Sequence, residues 1–78
     1  MKEMALKVYP NPAGNHINVE ANAVIDRIII YSMVGQTVGQ YAPQAMGYQV
    51  NLEQLPAGMY LLKVVSGDSE KTSRIIKK

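Results

Sequence analysis

The sequence predicts an all-β domain in which seven short antiparallel strands form a small Greek-key sandwich, and three observations support this. Apolar residues recur with a period of two, as at 16–21, where Ile17, Val19 and Ala21 alternate with His16, Asn18 and Glu20. Clusters of Gly, Pro, Asn, Asp and Ser interrupt these segments every 8–12 residues or about that, the spacing of a sandwich rather than of alternating helices and strands. Residues with strong β preference (Val, Ile, Tyr, Thr) are abundant, whereas long runs of Ala, Leu, Glu and Lys are missing.

Residues 5–9 alternate Leu6 and Val8 with Lys7 and Tyr9 and form a first strand. Pro10, Asn11 and Pro12 end it, because proline cannot donate to a ladder and biases the residue before it toward extended geometry. Ala13, Gly14 and Asn15 complete the turn, and the second strand follows at 16–21. Asn22 and Ala23 are read as a short connection to a third strand at 24–32, whose densest part, Ile28 to Tyr31, belongs in the middle of a sheet. A tight turn centred on Gly35 leads to a hairpin partner at 37–41, and Gly39 inside it predicts a bulge or a close backbone approach. Residues 42–47 are read as a crossing loop. Tyr48, Val50 and Leu52 then alternate with Gln49, Asn51 and Glu53 in a fifth strand.

The segment 55–65 holds a sharp corner and the longest strand-like apolar stretch. Pro56 fixes φ, and Gly58 reaches backbone conformations closed to other residues, so the chain can turn abruptly. Tyr60, Leu62 and Val64 then share one face; Met59, Leu61, Lys63 and Val65 share the other. Two largely apolar faces indicate a central strand. Tyr60, two residues before the inward Leu62, has the placing of the tyrosine corner of immunoglobulin-like sandwiches, where the hydroxyl bonds back to the upstream backbone. Ser66 to Ser69 is a hairpin turn by composition. The last strand, 70–78, places Thr72, Arg74 and Ile76 against Lys71, Ser73, Ile75 and Lys77, and its charges suit a sheet edge. The predicted core is Ile17, Val19, Ile28, Ile30, Val38, Val50, Leu52, Leu62 and Val64.

Seventy-eight residues make one small domain. Without cysteine, neither disulfides nor thiolate metal ligands can supplement its core. A net charge of +2, with a local excess only in Lys71, Arg74, Lys77 and Lys78, is too weak for a nucleic-acid footprint. No apolar run approaches the roughly 18–20 residues that span a bilayer.

The chemistry of an enzyme is not assembled by this sequence. His16 is the only histidine, and on an outward strand position it reads as a solvated side chain. The carboxylates Glu3, Glu20, Asp26, Glu53, Asp68 and Glu70 are scattered, with no pairing of general acid and base. Asp68 and Glu70 flank a turn but lack the further oxygen ligands of a calcium site. Gly35 and Gly39 precede no helix that could hold a phosphate. No catalytic residue, metal site or cofactor is expected, and an interaction or address module is the better class.

The segments VYPNPAGNHINV at 8–19, IIIYSMVGQTV at 28–38, LPAGMYLLKV at 55–64 and RIIKK at 74–78 together resemble the type A C-terminal sorting domain of the type IX (Por) secretion system. The most telling elements are Pro10-Asn11-Pro12, Gly35 four residues after Tyr31, and Gly58 two before Tyr60. Ser32 and Gln36 depart from the family, which more often has an acidic residue and lysine there. The resemblance implies an immunoglobulin-like sandwich at the C-terminus of a larger cargo, fused on its N-terminal side. It implies recognition by the outer-membrane translocon, removal by a sortase-like peptidase, and delivery from the periplasm to the outer surface or extracellular space of a Gram-negative bacterium. Residues 5–78 are then the sorting domain and residues 1–4 the start of an expressed fragment or a linker. Arg74, Ile75, Ile76, Lys77 and Lys78 are the expected recognition residues, and Pro10, Asn11, Pro12, Gly35, Gly58 and Tyr60 chiefly maintain the fold. The edge strand at the C-terminus also predicts weak self-association. The rival readings are an adhesive or carbohydrate-binding module, in which Tyr41 or Tyr48 would serve as the aromatic platform, and a structural spacer between domains.

Overall fold

A computed structural model of the chain describes residues 5–10 and 12–78, and these form seven strands without a helix. In chain order they are β1 (Leu6–Tyr9), β2 (His16–Ile25), β3 (Arg27–Ser32), β4 (Thr37–Tyr41), β5 (Ala45–Asn51), β6 (Gly58–Ser66) and β7 (Ser69–Lys77). The strands named above pair antiparallel in two sheets, ordered β1-β2-β5 and β4-β3-β6-β7. The chain makes the β1–β2 hairpin, crosses to β3–β4, returns to place β5 beside β2, and crosses again to place β6 beside β3. This is the Greek-key, immunoglobulin-like sandwich that the turn spacing and the corner predicted.

The core lies between the inner faces, where Ile17, Val19, Ile25 and Val50 of the smaller sheet meet Ile28, Ile30, Leu62, Val64 and Ile75 of the larger, all fully buried. Leu52, just past β5, is buried with them. Inward alternation along β6 places Tyr60, Leu62 and Val64 in the core while Met59 is exposed, as the period of two requires.

Three sequence expectations are corrected. Val24 and Ile25 belong to β2, because the break between sheets falls at Asp26, whose N–H donates to Val65 O at 2.8 Å. β5 begins at Ala45 rather than Tyr48, pairing with Ile25 across an irregularity in β2, which Pro43, Gly47 and the lack of periodicity over 42–47 conceal. Val38 is 38% exposed and outside the core. Ile30 pairs with Gly39 but Tyr31 pairs with Thr37, so Val38 is the extra residue of a bulge and falls out of the inward alternation. The bulge is the one expected at Gly39, where a Cβ would only come into ordinary contact with the Tyr41 side chain, at 3.4 Å.

A candidate recognition pole

Pairing registers give the sandwich two distinct ends. One end carries the crossing at Asp26, the 42–44 loop and the β6–β7 hairpin turn. Asp26 ties it together. One carboxylate oxygen accepts from Gly67 N–H at 2.6 Å, and Gln44 donates to Ile25 O and, through its side chain, to Asp26 O. Gly67 has φ 57°, at the first central position of a two-residue turn between the paired Ser66 and Ser69, where a type II′ hairpin needs glycine.

The other end collects every described element singled out in the sequence. β1 ends there at Tyr9 and Pro10, β3 turns at Gly35, β6 starts at Gly58, and β7 finishes at Lys77 opposite Gly58. Asn11 lies outside the described residues, as do residues 1–4. Pro10 and Pro12 are exposed. Gly35 has φ 89° in a turn where Gly35 N–H donates to Ser32 O, Ser32 N–H to Gln36 O, and Gln36 N–H to Ser32 Oγ. Ser32 and Gln36, the two departures from the family pattern, therefore bond to each other within one turn.

Tyr60 forms the expected corner. Its ring is 7% exposed and its hydroxyl donates to Pro56 O at 2.5 Å. Gly58, with φ 153°, makes the bend that brings Pro56 back over the ring. Removing only the hydroxyl, in Tyr60→Phe, is expected to cost about 0.5–1.5 kcal/mol, the net worth of one hydrogen bond. Urea denaturation of the two proteins measures this, and unchanged stability would contradict the corner's role.

The C-terminal strand ends as a latched edge. Ala13, fully buried, forms a parallel bridge with Lys77: its N–H donates to Ile76 O at 2.7 Å, and Lys78 N–H donates to Ala13 O at 2.9 Å. Lys77 Nζ donates to Leu55 O at 2.8 Å, joining the strand end to the Tyr60 corner. The five expected recognition residues thus divide. Ile75 is fully buried and belongs to the core; Lys77 is half-buried; Arg74, Ile76 and Lys78 present exposed side chains. The backbone at this end of the edge strand is engaged by Ala13. Sequence reading missed Ala13 because a small residue after two prolines looks like turn filler; its only signal was that it is apolar.

His16 is exposed at the start of β2. Tyr9, beside the prolines, has its phenol pKa raised, first by a hydrogen bond with Glu20, then by burial and by the negative charge of Glu20. Tyr41 and Tyr48 pack on each other across the gap between sheets, ring centroids 5.6 Å apart at 44°, so neither stands out as a separate platform. Among the described residues no group of three or more His, Cys, Asp or Glu side chains is placed to hold a metal ion.

The fold is an immunoglobulin-like sandwich with its described motif turns gathered at one end. The family model for the secretion system C-terminal sorting domain matches residues 7–78, nearly the whole chain, and the chain belongs to that family. The domain is the C-terminal sorting signal of the type IX secretion system, a tag that implies an N-terminal cargo, recognition by the type IX machinery, and export to the cell surface or extracellular space of a Gram-negative bacterium. A search of curated proteins found no match.

Proposed function

We propose that the pole formed by Pro10, residues 12–15, the Gly35 turn, the Tyr60 corner and the end of β7 is the surface that the outer-membrane translocon reads, with Arg74, Ile76 and Lys78 as its accessible side chains. The observation that carries this reading is the latch between Ala13 and Lys77, which fixes the C-terminal strand against the proline loop. Held this way, the basic end has a defined position relative to the corner, and a receptor meets a pre-organised surface instead of a loose tail. Ile75 and Lys77 serve by anchoring the strand. Pro10, Asn11, Pro12, Gly35, Gly58 and Tyr60 maintain the fold around it.

Residues 5–78 act as the sorting unit and residues 1–4 as a linker to the cargo. β1 pairs Leu6 with Ala21 and runs toward the recognition pole, so the chain arrives from the direction of the opposite end. A cargo joined there leaves the recognition pole uncovered, and a sortase-like peptidase can cut ahead of β1 while the pole is engaged. Fusing the 78-residue chain to the C-terminus of an inert periplasmic reporter, in a bacterium with a type IX system, tests the function. The fused reporter is expected at the cell surface or in the medium and the unfused reporter in the periplasm; retention of both would contradict the reading.

A further inference from the structure

Four strands lie at sheet edges, and three are protected in ways that natural sheets use against edge-to-edge pairing. β1 is four residues long and ends at Pro10. β4 carries the Val38 bulge. β7 bears Glu70, Lys71, Arg74 and Lys77, and its end is bridged by Ala13. β5 has none of these protections between Gly47 and Asn51: it contains no charge and no proline, and it pairs with β2 in unbroken register over that stretch.

The orientation of its backbone follows from its flanks. Gln44 N–H donates to Ile25 O and Leu52 N–H to Asn15 O, both toward the β2 side. Alternation then turns the backbone groups of Gly47, Gln49 and Asn51 away from β2, along the outer rim of the smaller sheet.

The surroundings favour a second copy of this chain as the occupant. From Ile28 to Leu52 the sequence contains no charged residue, although both neighbours, Arg27 and Glu53, are charged. Within it β4, β5 and their connection expose Val38, Met46 and Tyr48. Any other flank of a second molecule brings fixed charges against this uncharged surface, which desolvates them without a partner. The same flank of a second copy brings no charge from β4 or β5, Glu20 of β2 opposite Gly47 being the nearest carboxylate. A standard interface needs about 800 Å² from each partner, on the order of a sixth of a total surface of 4930 Å². Residues 37–51, most of them exposed and all outside the Gly35 turn, make up about a fifth of the chain, comparable to that share.

We propose that two chains associate through a twofold antiparallel pairing of β5 with β5 of a second copy, joining the two three-stranded sheets into one of six strands. Such pairing is self-complementary, as a twofold contact must be. It leaves the recognition pole, the β7 edge and the route to the cargo uncovered.

Sedimentation velocity over a concentration series of the 78-residue chain tests this, together with Gln49→Pro, Gln49→Lys and Thr72→Lys. Proline at 49 removes an N–H that points away from β2, which an edge strand tolerates. Lysine at 49 sets like charges near each other across the pairing axis. The parent chain and Thr72→Lys are expected to shift from the mass of one chain toward that of two as concentration rises into the high micromolar range, while both Gln49 variants, with unchanged melting temperature, stay single. A parent chain that remains monomeric throughout, or association that both Gln49 variants retain, overturns the proposal.

Discussion

Leu62→Ala is expected to destabilise the domain by about 2–5 kcal/mol, because the side chain is fully buried on a central strand and its removal leaves a cavity that flanking strands cannot close. Leu62 pairs with Ile30 on one side and Ser73 on the other, so the backbone around the cavity is held by two ladders. A domain of this size is stable by only about 5–15 kcal/mol, and the lower part of that range is the natural place for a small core without disulfides. Urea unfolding of parent and variant measures the difference. A cost below that of Tyr60→Phe would contradict the placing of Leu62 at the centre of the core.

Deleting residues 74–78 is expected to abolish folding. The deletion removes Ile75, a buried side chain whose loss alone costs on the order of 2–5 kcal/mol. It also removes the latch to Ala13 and the bond from Lys77 Nζ to Leu55 O, each worth roughly 1 kcal/mol. Together these approach the whole stability of the domain. Circular dichroism and thermal melting of the 73-residue chain give the answer, and a cooperative melt near that of the parent would contradict the latch. Loss of export on truncating RIIKK therefore says nothing about recognition, since the truncated chain is expected to be unfolded. Recognition has to be tested with substitutions at Arg74, Ile76 and Lys78.

Much of this architecture was legible in the sequence because the period of two and the turn residues act locally. The corner at Pro56-Ala57-Gly58 and the alternation of β6 need no long-range information. Ile17 and Val19 face inward for the same reason. Where the reading failed, tertiary pairing overrode local composition. Asn22 and Ala23 look like a connection, but β2 continues through them because the sheet change is anchored at Asp26 by partners forty residues away, Val65 and Gly67. Val38 sits in an apolar-looking strand, yet one extra residue in the ladder takes it out of the inward alternation. Ile75 is expected among the recognition residues and absent from the predicted core, yet it is fully buried, because its neighbours Lys71, Ser73 and Lys77 disguise the inward face as polar.

The motif residues were legible as a family pattern, and their gathering at one end was not. Segments around residues 10, 35, 58 and 78 lie at the same end only because successive turns of a Greek key alternate between two ends. Ala13 is the clearest case: its role comes from two backbone bonds to β7, which no side-chain pattern records.

The central claim is that the secretion machinery reads one pole. The direct measurement compares export of the reporter fusion carrying Arg74→Gln with Lys78→Gln against one carrying Lys7→Gln with Arg27→Gln. The two fusions lose the same net charge, at exposed positions in different places, and thermal melting establishes that both domains fold. The account predicts that the Arg74 and Lys78 fusion is retained in the periplasm while the Lys7 and Arg27 fusion is exported like the parent. Equal export of both, or retention of the Lys7 and Arg27 fusion alone, would contradict it.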